Sequence, residues 1–493
     1  MEHVATAKSH RALFLSTIAF TVCFSAWMLN GVLVTFLVSN QAFDWGLVEI
    51  GWLMGIPVLT GSIFRLPAGM LTDKFGGKPV YAALLFVCAV PMYLLSYADS
   101  FVGFALCSFG FGLSGAGFAI GIAYTSVWYP QERQGTVLGI FGAGNAGAAL
   151  TLVFAPTLLN VLTDNGTNIE GWRQLPVYYA IMLGITGALF FLFAKNKKPA
   201  THKKSAAVRL RPLKDLRVWR FGLYYFLVFG CFVAFSQWLV PYFVNVYLMS
   251  LVTAGILAAL FSFPSGVIRA AGGWMSDKWG GRVVMYWVLG LSVAISFMLV
   301  IPKMDIYSPG QGIMNRIPGT VVEVTEAYIV VDEKNYALKV NTRSFAELED
   351  DILVFPTKSS WQEPVVKVGQ EVQRGELLAK GITRIYFQAN VWIFAGLVLI
   401  LGSVWGVGKA SVYKLIPDYY PEEVGVVGGM VGVLGGLGGF FTPIVFGYLL
   451  EASGLWTSCW MFMWVLSVIC LFWLHNVVQH IQRKEHPESE HKI

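Results

Sequence analysis

Arg65-Leu-Pro-Ala-Gly69-Met-Leu-Thr-Asp73-Lys-Phe-Gly76-Gly77 recurs 204 residues later as Arg269-Ala-Ala-Gly-Gly273-Trp-Met-Ser-Asp277-Lys-Trp-Gly280-Gly281. The arginine, a glycine, the aspartate, the lysine and the glycine pair all keep their spacing, so the chain contains an internal duplication. A second pair, Trp128-Tyr129-Pro130-Gln-Glu132 and Tyr419-Tyr420-Pro421-Glu-Glu423, is offset by 291. The offsets differ by 87 residues, close to the length of a segment from about Lys303 to Arg384 with a composition of its own. Removing that segment brings two halves into register, so it is an insertion into a duplicated frame.

The frame is apolar. Of 493 residues, 56% are hydrophobic and 13% charged, with 52 glycines and a mean hydropathy of +0.62. A soluble domain carries roughly 25% charged residues, so an ordinary soluble enzyme is excluded, and so is a disordered chain. Apolar runs of bilayer-spanning length, about 20 residues, begin near residues 12, 46, 79, 101, 134, 173, 219, 251, 283, 389, 424 and 456. The expected class is therefore an all-α integral membrane protein, with twelve transmembrane helices in two pseudo-symmetric six-helix halves. The first run is too long for a signal peptide and is expected to remain as a helix.

Orientation follows from the loops. Residues 195–220 carry ten Lys or Arg, and Lys74, Lys78, Arg133, Lys278, Arg282 and Lys414 lie on the same side. Opposite loops hold Asp44, Glu49, Asp99, Asp164, Glu170 and Glu451. The positive-inside rule then places both termini and the basic linker in the cytoplasm. The net charge of +6 is topological, and no nucleic-acid partner is implied. The six cysteines all lie in apolar stretches without CxxC or histidine spacing, so neither disulfides nor a metal site is expected.

The expected organisation is a first half at 1–194, a basic linker at 195–218, helices seven to nine at 219–302, a β insertion at 303–386, helices ten to twelve at 387–480 and a tail at 481–493. The insertion holds twelve of the 29 acidic residues. Its β-branched runs Gly319–Val324, Tyr328–Val331, Tyr336–Val340 and Val365–Val368 predict strands, on the extracytoplasmic side.

Charge within the membrane carries the functional argument. Arg65 and Arg269 each stand eight residues before an aspartate at a helix end, about 12 Å deep at 1.5 Å per residue. A buried arginine costs about 3 kcal/mol or more and needs a partner. No Asp, Glu or His lies well inside any span, Glu49 and His475 being at helix ends. The missing counter-charge is then most simply an anionic substrate, and the planar guanidinium fork matches a small planar oxyanion such as nitrate, nitrite or bicarbonate. The alternative is that each arginine bonds to backbone carbonyls.

Glycines at spacings of three and four line the fifth run (Gly142, Gly144, Gly147) and the eleventh (Gly432, Gly435, Gly436, Gly439), as close helix packing requires. Asn145 interrupts the first of these with an amide, suited either to an anion or to an interhelical hydrogen bond.

The duplicated six-plus-six frame with Gly-x-x-x-Asp-x-x-Gly-Gly resembles the major facilitator superfamily. Gly142-Ala-Gly144-Asn145-Ala-Gly147 with Gly432-Val-Leu-Gly-Gly-Leu-Gly-Gly439 resembles, more narrowly, its nitrate/nitrite porter family. That resemblance implies a cytoplasmic-membrane secondary transporter of nitrate or nitrite, working by alternating access, with no catalytic residue, metal or cofactor. It implies anion contacts at Arg65, Arg269 and Asn145, and aromatic contacts at Tyr225 and Phe229, with Tyr224 competing for the former place. It further implies conformational roles for Asp73, Gly76, Gly77, Asp277, Gly280, Gly281 and the glycines of the two motifs.

Lys409 lies within the tenth run; it is either a third anion contact, a group whose protonation is coupled to transport, or a side chain snorkelling to the cytoplasm. Driving a monovalent anion into a cell against 100 mV costs about 2.3 kcal/mol, so uptake is expected to require either more than one co-transported proton or exchange for an outgoing anion. The absence of a membrane carboxylate favours exchange, and Lys409 keeps symport open.

The stretch Val365 to Gly381 resembles the hairpin of sandwich-barrel hybrid domains, without the lysine turn that carries a cofactor. It is either an external cap that binds a protein partner or a tolerated insertion. Rival readings of the chain are a superfamily porter for another small anion and a membrane sensor built on a transporter frame.

Overall fold

The computed structural model describes residues 7–198, 211–301, 304–341, 356–387, 389–420 and 424–485. The linker cations Lys203, Lys204 and Arg209, the acidic run 347–351, Pro421 and the last residues of the tail lie outside the described residues, as do the side chains of Glu132 and Arg133.

Eleven helices among the described residues are long and apolar enough to cross a membrane, and a bent pair makes a twelfth span. Spans one to six are Ala7–Ser39, Leu47–Phe75, Gly77–Tyr97, Phe101–Ser126, Val137–Leu162 and Ile169–Phe193. Spans seven to twelve are Leu216–Tyr247, the bent pair Leu251–Val267 and Arg269–Trp279, Gly281–Leu299, Val391–Tyr419, Val426–Ser453 and Ser458–His480. Backbone polar groups in lipid must be satisfied internally, which is why continuous apolar helix is the form these sequences take.

The duplication extends to the backbone. Span two is Leu47–Ile63, a turn at Phe64, then Arg65–Phe75; span eight is Leu251–Val267, a turn at Ile268, then Arg269–Trp279. Every boundary repeats at the sequence offset of the motif. In span two Pro67 lacks the N–H that the Ile63 carbonyl would accept, which loosens the helix there. Span eight has no proline at that place and bends by 45° just ahead of Gly272 and Gly273. Each second segment ends on a glycine of positive φ, Gly76 at +88° and Gly280 at +85°, a conformation that side chains with a Cβ disfavour.

Small residues bring the halves together. A Cβ on Gly51 or Gly55 of span two would meet the Pro443 or Phe440 carbonyl of span eleven, and one on Gly255 of span eight would meet the Leu152 carbonyl of span five. Gly31 of span one lies on Gln237 of span seven, whose Nε2 donates to the Met54 carbonyl at 3.3 Å. Span seven is thereby almost wholly enclosed, with 94% of its apolar window buried, against 22% for span twelve.

Residues 301–394 form a separate compact unit. It contains a three-stranded antiparallel sheet of order β1-β7-β5 (Met304–Met314, Leu377–Phe387, Thr357–Pro364). A four-stranded sheet of order β4-β3-β2-β6 (Lys334–Ala337, Tyr328–Val331, Gly319–Val324, Glu371–Val372) completes it. Val321, Ile329, Val331, Tyr336, Val366 and Leu378 pack its core. The predicted strands Gly319–Val324 and Tyr328–Val331 are present as drawn. The predicted strand Tyr336–Val340 is instead Lys334–Ala337, because the turn at Asp332 (φ +50°) starts the return strand earlier. Val365–Val368 is no strand: Val366 enters the core from an irregular stretch that leads to a turn at Gly369 (φ +84°).

Candidate functional site

Arg65 begins the second segment of span two and is 5% exposed. Its Nη1 donates to the Gly432 carbonyl of span eleven at 2.9 Å, while Nε is buried without a hydrogen-bond partner. Rings of three spans surround its guanidinium carbon: Phe229 at 5.1 Å, Phe118 at 5.4 Å and Trp27 at 5.7 Å. Arg269, its counterpart on span eight, lies 5.7 Å from the same Phe118 ring and 5.6 Å from Tyr413, with Nη1 buried and unpartnered. The alternative drawn from the sequence, an arginine bonded to backbone, thus holds for one nitrogen of Arg65; Nε of Arg65 and Nη1 of Arg269 remain unsatisfied.

Tyr225 and Phe229 stack face to face, centroids 5.0 Å apart and planes at 6°. Tyr225 immediately precedes a π-helical turn over Phe226–Cys231 and Phe229 lies within it, so span seven is widened where these rings stack. Tyr225 also meets Tyr413 edge-on at 5.0 Å, and its hydroxyl makes no well-formed hydrogen bond. Tyr224 has Arg220, Tyr286 and Cys470 as electrostatic neighbours, so of the two tyrosines Tyr225 stands beside Phe229.

Asn145 lies in a 3-10 turn, Ala143–Ala146, inside span five. It is 1% exposed, neither atom of its amide has a partner, and its Cβ lies against Gly266 of span eight. Gly142 faces Arg269, its virtual Cβ 3.7 Å from that residue's Nη1, whereas Gly144 and Gly147 pack on Phe20, Thr21 and Ser25 of span one. On span eleven a Cβ at Gly435 would enter the Tyr225 ring, one at Gly436 would strike Ser62 Oγ, and Gly439 packs on Val58 and Val233.

Lys409 does not snorkel. It is fully buried, its Nζ donating to Ser265 Oγ at 2.8 Å and lying 3.0 Å from the centroid of Phe232 and 5.9 Å from that of Phe229. The glycine at 408 lets Val228 and Val288 close over that turn of helix. Among the described residues no carboxylate forms an ion pair with Arg65, Arg269 or Lys409.

The loop motifs lie away from this cluster. Asp277 pairs with Lys414 at 2.7 Å in an exposed position; Gly77 packs on Tyr124, Gly281 on Leu415, and Gly76 on Asn196, whose amide donates to the Phe75 carbonyl. Asp73 makes a contact of its own as well.

Sequence reasoning missed Phe118, Trp27, Tyr413, Ser265 and Phe232. Two had a usable signal: Tyr413 is one turn after Lys409 and Ser265 one turn before Arg269, hence on their faces. Phe118 had none, being one of 36 phenylalanines.

The cluster can bind a small anion. Guanidinium donors, an amide and an ammonium converge among aromatic walls, and buried donors left without partners are costly unless a ligand or water takes them.

The model of the Major Facilitator Superfamily matches residues 15–315 and 377–492. The "Probable nitrate/nitrite antiporter NarK1" of Thermus thermophilus is 35% identical over 481 residues, covering 96% of this chain and 93% of that protein. The "Nitrite extrusion protein" of Bacillus subtilis (strain 168) is 25% identical over 484 residues, covering 97% and 98%. In three dimensions the chain is similar to a bacterial homolog of the human lysosomal transporter Spinster, with a TM-score of 0.64, 13% identity and coverage of 97% and 98%. The nucleoside transporter NupG gives 0.58 at 12% identity, covering 96% and 99%.

Proposed function

The chain belongs to the Major Facilitator Superfamily, and from that premise we propose that it carries nitrate and nitrite across the cytoplasmic membrane by alternating access. Membership makes it a multi-pass secondary transporter and not an enzyme. The proposal concerns the cargo, the residues that hold it and the sides of the membrane, with both termini cytoplasmic and the β unit outside.

The observation that carries it is the pair of arginines at equivalent positions of the two halves, beside one ring and without carboxylate partners among the described residues. A planar oxyanion between them receives paired N–H donors from each guanidinium. Asn145 supplies an amide donor from span five, and Tyr225 and Phe229 form the wall that fits a flat ion. The two halves rock about the ion, so that each face opens in turn. Relatives with nitrate or nitrite in their names cover nearly the whole chain, which supports the same cargo.

The test is nitrate flux into proteoliposomes, with internal nitrite and an imposed proton gradient varied separately. Flux in either condition sustains the reading. No nitrate flux in both overturns it in favour of another small anion, which competition by sulfate and small carboxylates then identifies.

A further inference from the structure

Lys409 stands among the donors of the site, and the paired-arginine clamp gives it no part of its own. It is a third cation among Arg65 and Arg269, and a monovalent oxyanion balances only one charge. A guanidinium keeps its proton at any physiological pH, so of the three only the lysine can become neutral. Its seat suits both states. Ser265 Oγ accepts a hydrogen bond from the ammonium at 2.8 Å, and the same hydroxyl, rotated, donates to the lone pair of a neutral amine. The Phe232 face at 3.0 Å favours the charged form but demands no hydrogen bond of the neutral one.

The groups facing Lys409 from each packed element are known. Span eight presents Ser265 and the like-charged Arg269; span seven presents Phe232 and Phe229, with Tyr225 stacked behind Phe229. Span two presents Arg65 across Phe229, span nine presents Val288, and Tyr413 is one turn along the same helix. None of these is a carboxylate that would pin the ammonium.

We propose that Lys409 carries the proton that accompanies the anion, one per transport cycle. This deepens the nitrate reading and rests on it. With the site empty, two fixed guanidinium charges oppose a third cation. An oxyanion on Arg269 and Arg65 offsets them, so proton and anion each favour binding of the other, reciprocally. The Nζ lone pair takes a proton from the outer solution as the anion enters. The N–H bond is broken to inner water as the anion leaves. One proton and one monovalent anion move together, and no net charge crosses.

The experiment uses the full chain in proteoliposomes without internal anion. For the wild type, an outside one pH unit more acidic should support about tenfold nitrate accumulation, with one proton taken up per nitrate and no response to membrane potential. Lys409→Met and Lys409→Arg should both lose this accumulation while nitrate/nitrite exchange remains measurable at a lowered rate. That shared loss marks a group that must change charge, since arginine would serve a fixed anion contact. The proposal is overturned by wild-type flux that ignores the pH difference, by accumulation that persists in either variant, or by loss of exchange in both. A wild type that carries no nitrate with or without internal nitrite fails the cargo reading instead.

Discussion

The guanidinium carbons of Arg65 and Arg269 lie 5.4 and 5.7 Å from the centroid of a single ring, that of Phe118. The two cations come from opposite halves of a duplicated chain, and the ring that both approach comes from span four of the first half alone. The paired guanidinium groups are thus related by the duplication, whereas the ring they share is not.

Replacing either arginine by lysine should nearly abolish nitrate transport. Lysine keeps the charge but loses the planar fork, removing at least one charge-assisted hydrogen bond of about 1.5–3 kcal/mol, a loss of roughly ten- to a hundredfold in affinity. Nitrate uptake by Arg65→Lys or Arg269→Lys at the wild-type rate would defeat the clamp.

Phe118→Leu should lower the apparent affinity for nitrate on the order of tenfold, since two cation–π contacts of about 0.5–1 kcal/mol each hold both guanidinium groups in place. A competition titration against labelled nitrate measures it. An unchanged affinity would mean that the ring only fills space.

Gly436→Ala should stall transport because its Cβ would strike the Ser62 side chain, and Ser62→Gly should restore it by vacating that space. The double variant is the decisive comparison, measured as flux beside the two single changes. Independent, additive losses would show that the contact between spans two and eleven does not govern the cycle.

The two positive-φ glycines should differ. Gly280→Ala meets open space and costs only the strain of a positive-φ, extended-ψ backbone (φ 85°, ψ 138°), about 1–3 kcal/mol. Gly76→Ala adds a collision with Asn196, so its thermal midpoint in detergent should fall further. Equal midpoints would refute the difference.

Excision of residues 305–384 should leave nitrate flux in place if the β unit is a cap or a passive insertion. Met304 and Phe387 are paired neighbours on β1 and β7, so the cut ends are already close and a short linker can join them. Loss of flux with retained folding would instead assign the unit a part in transport, and loss of a separate cellular response with flux intact would favour a sensor.

Much of this protein is determined by its sequence alone. In a bilayer the backbone must bond to itself within each helix, so run length and one repeated motif suffice for the spans and for the duplication that makes Arg65 and Arg269 counterparts. The bands around the arginines are different. Which face of span four turns inward, and hence that Phe118 comes within 6 Å of both cations, at 5.4 and 5.7 Å, depends on packing between residues far apart in the chain. The same holds for Lys409, whose long side chain was free to reach water until Ser265 and Phe232 were placed around it. In the β unit, β1 is interrupted in sequence by Pro309, Gly310 and Gly312 and carries no alternating signal, yet pairs with β7 along nearly its whole length. Local composition sets which segments are helix or strand; the rotation of each helix and the partner of each strand are decided only when distant side chains compete for the same space.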